Sequence, residues 1–145
     1  MNITAPPDWL IITAGFGQIF TALIYPFVRH KVFDWYNDIK NLKPLNRQIA
    51  KTYGSYIQGL NFSFGLMSIL MVEHLLRGGP IALGFSVIVA FYWIGKIWTQ
   101  FAYYPMYEIP KGWIFRVGEI GMNAWFFLFA ITFSWMATYL ISGLM

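Results

Sequence analysis

Two residues of opposite charge, Lys96 and Glu119, lie within long apolar stretches of this 145-residue sequence. A charge inside a membrane-spanning helix costs roughly 2.5 to 3.5 kcal/mol on insertion scales, so each one needs a partner, water or a route to the interface. We expect the two side chains to form an ion pair in the cytoplasmic half of a membrane, because a buried charge requires full pairing. Snorkelling of Lys96 toward the cytoplasm is the alternative.

A polar layer is expected around this pair, because amide side chains of several helices fall at a similar depth. The candidate layer consists of Lys96, Glu119, Gln58, Asn61, Gln100 and Asn123, and Gln18 can extend it toward the middle of the membrane. The amides would complete the hydrogen bonds that buried charges need. Polar contacts of this kind commonly hold helices together, so we place a structural role ahead of a ligand site.

The sequence does not predict a catalytic or metal-binding constellation. It contains no Cys, which excludes disulfides and thiolate sites. His30 and His74 are expected on opposite sides of the membrane, so one copy cannot hold haem between them. Glu119 is the one carboxylate expected at the depth of the layer, whereas acid–base catalysis usually needs several converging groups. We therefore assign no catalytic residue, metal or cofactor, and an enzyme is the less favoured class.

The composition indicates a membrane protein, because 58% of the residues are hydrophobic and only 11% are charged. Soluble domains contain roughly 45 to 50% apolar and about 25% charged residues. We expect a single transmembrane domain over residues 1–145. Membrane lipids are the expected partners, with a membrane protein or a second copy as further candidates. The composition argues against nucleic-acid binding and free cytosolic enzymology.

Four apolar windows, at about 9–28, 48–76, 81–104 and 117–144, are long enough to cross a bilayer as helices. A barrel would need many alternating strands that the sequence lacks. The sequence therefore predicts an all-α fold, an integral membrane four-helix bundle. On the second helix Ser55, Gly59 and Ser63 repeat every four residues, and Asn61, Gly65 and Ser68 form an adjacent small or polar face. Both faces predict that this helix packs centrally. The many rings of the fourth helix are expected to face lipid or a partner.

The basic residues predict how the chain is threaded, because Lys and Arg near span ends resist translocation. Arg77 alone lies on one predicted side. Eight lie in the connections after the first and third spans: Arg29, Lys31, Lys40, Lys43, Arg47, Lys51, Lys111 and Arg116. We expect a multi-pass protein of a bacterial-type cytoplasmic membrane, with both of these connections in the cytoplasm and both termini outside.

The first connection has a helical pattern of its own at about 32–43, where Val32, Trp35, Tyr36, Ile39 and Leu42 recur between charged residues. This pattern predicts a short helix lying flat in the cytoplasmic interface, ended by Pro44, with Asn46 as the cap of the next helix. The segment either attracts anionic lipid or a partner, or it is a topogenic hinge.

Three classes of function remain open. The preferred class is a noncatalytic accessory subunit or lipid-binding component that uses the first connection and the aromatic fourth helix as contact surfaces. The second is a small oligomeric transporter or channel with the polar layer around Lys96 and Glu119 along its path. The third is a membrane enzyme for a lipid or isoprenoid substrate, with Glu119 as acid or base and Lys96 as its charge partner.

Overall fold

The computed structural model describes residues 3–105 and 110–143, and this part of the chain is helical without strands. Six α-helices follow one another: α1 Asp8–Lys31, α2 Trp35–Asp38, α3 Pro44–Leu70, α4 Val72–Arg77, α5 Pro80–Trp98 and α6 Trp113–Ser142. A 3₁₀ turn, Ile39–Asn41, follows α2, and a π-helical turn, Thr99–Tyr103, extends α5. The predicted all-α fold is confirmed for these residues.

Three of the helices are long and apolar enough to cross a membrane: Asp8–Lys31, Pro80–Tyr103 and Trp113–Ser142. The protein is therefore an all-α protein with three candidate membrane spans. Helix α3 is longer than α1 but is the least hydrophobic of the four long helices. It carries Gln58 and Asn61 in its body, and it ends at Leu70, where Met71 alone separates it from the start of α4 at Val72.

The central helix is α1, which contacts α2, α3, α4 and α6. The prediction that the second long helix would be central is therefore wrong. Helices α1 and α3 approach at Gly15 and Gly65, where a Cβ atom added to Gly65 would lie 2.5 Å from the carbonyl oxygen of Gly15. Close backbone approach at small residues is a common way for helices to pack in membranes. The predicted face of Asn61, Gly65 and Ser68 is buried, so it supplies one side of this contact. The predicted repeat of Ser55, Gly59 and Ser63 is exposed and makes no such contact, because it lies on another face of α3.

Several aromatic residues of α6 form the core of the protein, and only some of them face outward. Phe126, Phe129 and Phe133 are buried, and they pack around Trp93 of α5, which is 1% exposed. Gly17 of α1 lies against the rings of α6, because a Cβ atom there would meet Trp125 and Phe129. The expectation that the rings of the fourth helix face lipid or a partner is wrong for these buried rings, and it stays a prediction for exposed ones such as Phe127 and Trp135.

The connection between α1 and α3 is less regular than the predicted helix over 32–43. Asp34 has a left-handed backbone with φ of 48°, so the chain reverses there before the single turn of α2 and the 3₁₀ turn. Ile39 is buried, as the apolar spacing suggested. Pro44 begins α3 rather than ending a helix, because its fixed φ suits a first helical turn. Lys43, not Asn46, is the residue before that turn, and its side chain makes no capping bond.

The packing defines two ends of the molecule. The basic end contains the last turn of α1, α2, the first turns of α3, the π-helical turn and the start of α6. The opposite end contains the start of α1, α4, the start of α5 and the last turns of α6. At the opposite end Ile11, Leu75, Ala82, Met136 and Leu140 form one apolar cluster that joins α1, α4, α5 and α6.

Candidate functional site

The predicted ion pair between Lys96 and Glu119 is absent from the structure. In the part of the chain that the structure describes, the one ion pair is between Arg77 and Glu73 at the exposed opposite end, with 3.0 Å between Nη2 and Oε2. The two side chains do not meet because they lie at different levels along the helices. Lys96 lies over the ring of Phe126, which follows Glu119 by seven residues in α6, or about 10 Å along a helix.

Lys96 instead contacts aromatic rings. Its Nζ lies 5.2 Å from the ring centroid of Tyr104 and 5.6 Å from that of Phe126, and its side chain is half-buried. A cation over a ring face gains about 0.5 to 2 kcal/mol, more where water is excluded. The π-helical turn after α5 contributes to this arrangement, because it precedes Tyr104 directly and so returns this ring toward Lys96. Gln100 lies in the same turn.

Glu119 and Asn123 belong to a separate cleft of about 1070 Å³ between the π-helical turn and α6. Its walls include the rings of Phe101, Trp113 and Phe127, together with the Arg116 side chain. Glu119 and Asn123 are both half-buried here. The structure therefore divides the six residues of the predicted layer and places this pair apart from Lys96.

Arg29 is the cation that the structure buries most deeply, although it stands in the last turn of α1. Its side chain is only 9% exposed. The guanidinium carbon lies 4.9 Å from the ring centroid of Tyr25 and 5.2 Å from that of Trp35, so rings pack against it. Its Nη1 lies beside Gly54 of α3, in the space that a Cβ atom would occupy. A larger residue at position 54 would therefore require the Arg29 guanidinium to move.

The polar contacts of Arg29 are few. Its Nη2 donates a hydrogen bond to Oε1 of Gln58 at 3.4 Å, which is long for a charged donor. Its Nε is buried and has no hydrogen-bond partner in the described chain. A guanidinium carries five N–H donors and no acceptor, so most of its hydrogen-bonding capacity is unused. We therefore find a buried cation without a carboxylate partner in residues 3–105 and 110–143.

Asn61 lies one helical turn deeper than Gln58 on α3, and it is 6% exposed. Its side chain interacts with the Tyr92 hydroxyl, whereas its Oδ1 has no hydrogen-bond partner in the described chain. Two of the predicted layer residues, Gln58 and Asn61, thus lie on the side of Arg29.

Three tyrosine hydroxyls connect the surroundings of the two cations. Tyr25 interacts electrostatically with both Arg29 and Tyr104, and Tyr92 interacts with Tyr25 and Tyr104. Tyr104 in turn lies under Lys96. We refer to Arg29, Lys96, Tyr25, Tyr92 and Tyr104 as the cation–tyrosine cluster. It combines two cations with three tyrosines, so positive charge is concentrated here.

Gln18 does not extend this cluster. It is fully buried in α1, its Oε1 accepts a hydrogen bond from Nε1 of Trp93 at 3.0 Å, and its Nε2 donates to the carbonyl oxygen of Ala14. Gln18 therefore joins α1 to α5 deeper in the bundle, as a structural contact.

Sequence reasoning missed the role of Arg29 because the run Arg29, His30, Lys31 has the usual composition of a span end. The available signal was the spacing of Tyr25 and Arg29, which places a ring one turn before a cation on the same helix face. The contribution of Trp35 was not visible, because it depends on the reversal of the chain at Asp34.

The described residues contain no group of three or more His, Asp or Glu side chains that would hold a metal ion. Comparison with models of protein families, with curated proteins and with solved structures finds no match to this chain. Function must therefore be argued from the geometry.

Proposed function

We propose that the chain is a noncatalytic, multi-pass component of a cytoplasmic membrane that binds anionic lipid through its basic end. The observation that carries this proposal is the uneven distribution of positive charge. Arg77 lies at the opposite end in an ion pair with Glu73, whereas the cations of the first connection, of α3 and of the start of α6 lie at the basic end. Each Lys or Arg near an anionic membrane surface contributes about 1 kcal/mol to attraction.

The proposal includes a fourth crossing formed by α3 together with α4. Support comes from Arg29, which lies beside Gly54, so α3 residues before Gly54 extend beyond the end of α1. From Gly54 to Leu76 the chain has 23 residues and follows α1 to its other end, where Leu75 packs against Ile11. This length corresponds to about 35 Å of helix, enough for a hydrocarbon core of about 30 Å.

The same geometry gives the first turns of α3 a role in lipid binding. Arg47 and Lys51 lie in these turns, beyond the level of Arg29, together with the exposed Leu45 and Ile49. A helix end with cations and apolar side chains suits the headgroup region of a membrane. We propose that this projecting end and the first connection contact the anionic leaflet, with both connections of the basic end in the cytoplasm.

The aromatic cleft supports lipid rather than a small polar substrate. Phe101 and Phe127 offer apolar surface to an acyl chain, and Arg116 offers a cation at the same opening. A noncatalytic role is proposed because Glu119 is the one carboxylate among the described residues that line the cleft, and Lys96 does not pair with it. General acid–base catalysis commonly needs an acid and a base placed against one substrate.

Quenching of tryptophan fluorescence by brominated lipid tests this function directly, because Trp35 and Trp113 both lie at the basic end. The protein is reconstituted in vesicles of brominated phosphatidylcholine or of brominated phosphatidylglycerol. We expect stronger quenching by the anionic lipid, and a difference that falls as salt is added, since salt screens exposed charges. Equal quenching by the two lipids at low salt would contradict the proposed function.

A further inference from the structure

We propose that Arg29 forms the centre of a binding site for the phosphate of an anionic lipid headgroup. We call this site the Arg29 pocket and define it by Arg29, Tyr25, Trp35, Gly54 and Gln58. The inference rests on the proposed function, because that function brings anionic lipid to the basic end. It goes further in assigning one buried residue, one chemical group and a saturable site.

The Arg29 guanidinium makes few of the hydrogen bonds that a buried cation needs. Arg29 is more than nine-tenths buried, its Nε has no partner in the described chain, and Gln58 supplies one long hydrogen bond. Removal of a charge from water is costly, and an anion with several hydrogen-bonded oxygens offsets this cost where rings alone do not. The rings of Tyr25 and Trp35 pack against the guanidinium and its Nη2 contacts Gln58, so an anion would bind through the N–H groups that have no partner in the described chain.

The surroundings of Arg29 favour phosphate over carboxylate as the bound anion. A guanidinium binds carboxylate and phosphate equally well in geometry, since both accept two parallel N–H bonds. Tyr25, whose ring packs against the guanidinium, interacts electrostatically with Arg29 and with Tyr104. Lys96 adds a second cation over the ring of Tyr104. Two cations in one cluster favour the larger negative charge of a phosphate over that of a single carboxylate.

The position of Arg29 favours a lipid headgroup as the source of the phosphate. Arg29 lies in the last turn of a candidate membrane span, which the proposed function places at the level of the headgroups. Exposed apolar side chains occur near the same end of α1, on other faces of the helix and just after it, namely Leu23, Phe27 and Phe33. Acyl chains can pack on these residues while the headgroup phosphate reaches Arg29. A free phosphate ion would make no use of this apolar surface.

The test measures how ligands shift the thermal unfolding midpoint of the full chain in detergent. The probes are dioctanoyl phosphatidylglycerol, dioctanoyl phosphatidylcholine and inorganic phosphate. A ligand that binds the folded state alone raises the midpoint in a saturable manner. We expect the anionic lipid to give this shift, and Arg29→Met to weaken its apparent affinity by about tenfold to a hundredfold, as for loss of a charged hydrogen bond.

The matched control is Lys31→Met, which removes the same charge two residues away from an exposed side chain. It is expected to keep the saturable shift. Tyr25→Phe keeps the ring and removes the hydroxyl, so we expect a loss of about threefold in affinity. Its control is Tyr36→Phe at an exposed tyrosine of the same end.

A purely structural role for Arg29 predicts a different outcome. Arg29→Met would then lower the midpoint without ligand, and the remaining ligand shift would match that of Lys31→Met. The Arg29 pocket predicts that the midpoint of Arg29→Met without ligand is equal to or above that of the wild type, because an unpaired buried charge has been removed. If Arg29→Met does not fold, Tyr25→Phe against Tyr36→Phe decides between the two.

Other results would contradict single elements of the Arg29 pocket. An equal, Arg29-dependent shift with inorganic phosphate overturns the lipid source and retains the phosphate. An equal, Arg29-dependent shift with phosphatidylcholine overturns the requirement for net negative charge.

A counter-ion within the chain would also overturn the pocket, and Glu108, which lies outside the described residues, is tested for this role. Glu108→Gln would then lower the unfolding midpoint of the wild type, whereas the same substitution would not lower the midpoint of Arg29→Met. A preference for brominated anionic lipid that is unchanged in Arg29→Met overturns the pocket alone, whereas no preference in the wild type overturns the proposed function.

Discussion

Trp93 donates a hydrogen bond of 3.0 Å from its indole Nε1 to Oε1 of Gln18, and this contact joins α5 to α1 where both side chains are almost completely buried. The residues are 75 positions apart in the sequence. The same indole packs against Phe126 and Phe129 of α6. One ring system therefore fixes the relative position of three helices.

Loss of this hydrogen bond should destabilise the protein. Gln18→Leu leaves the Trp93 N–H without an acceptor, which costs about 1 to 3 kcal/mol where no other partner is found. A double-mutant cycle with Trp93→Phe should give a coupling of about 0.5 to 1.7 kcal/mol, the range for polar contacts between membrane helices. Unfolding in mixed micelles with a denaturing detergent measures it. Ser86→Ala is the control, because this buried hydroxyl bonds only its own helix at Ala82; coupling of zero between Gln18 and Trp93 would contradict the structure.

The close approach of α1 and α3 gives a prediction for two glycines of one helix. Gly65→Ala should destabilise the protein by about 1 to 3 kcal/mol, because its new methyl group would meet the backbone of Gly15. Gly59→Ala is matched in chemistry and lies six residues earlier, with no atom within 4 Å of the added Cβ. It should be neutral or stabilising by about 0.5 to 1 kcal/mol, since alanine favours helix. Similar effects at both positions would show that the helices do not meet at Gly65.

Lys96 and Glu119 should act independently. Their side chains are not paired, so a cycle of Lys96→Met and Glu119→Gln should give a coupling below about 0.5 kcal/mol. Lys96→Met combined with Phe126→Leu should give about 0.5 to 1 kcal/mol, because the ammonium lies over that ring. The same detergent titration serves for both cycles. A larger coupling for Lys96 with Glu119 than with Phe126 would restore the predicted ion pair.

Cysteine labelling tests the proposed fourth crossing, and the absence of Cys from the sequence makes single substitutions unambiguous. Asn41→Cys lies in the exposed connection before α3, and Glu73→Cys lies in α4 at the opposite end. On intact cells a membrane-impermeant maleimide should label Glu73→Cys, and Asn41→Cys only after permeabilisation. Labelling of both positions from the same side would show that α3 and α4 do not cross. Reversed labelling would retain the crossing and contradict the orientation.

Hydrophobic length predicted the positions of the helices well, because long apolar windows have few alternatives in lipid. It did not predict which faces are buried. Phe126, Phe129 and Phe133 are core residues, whereas Phe127 is exposed, and all four occur in one apolar run. In a membrane helix the lipid-facing side is as apolar as the core, so periodicity carries little information about orientation.

The candidate site was predicted in part for the same reason. Gln58 and Asn61 were identified because amides are rare in apolar windows, and both are among the more buried polar groups near Arg29. The pairing of Lys96 with Glu119 was not obtained, since sequence depth ignores the two turns of α6 between Glu119 and Phe126. The helix break at Met71 was not predicted, because no Gly or Pro lies at or beside this position.

The left-handed backbone of Asp34 has a consequence for the rim of the Arg29 pocket. Both carboxylate oxygens of Asp34 accept bonds from Nδ2 of Asn37, at 2.6 and 2.8 Å, and such local bonds help an Asp to adopt this conformation. The reversal places Trp35 against Arg29. The position of Trp35 beside Arg29 therefore depends on the backbone torsion of Asp34, an acidic residue whose carboxylate is hydrogen-bonded to the Asn37 amide.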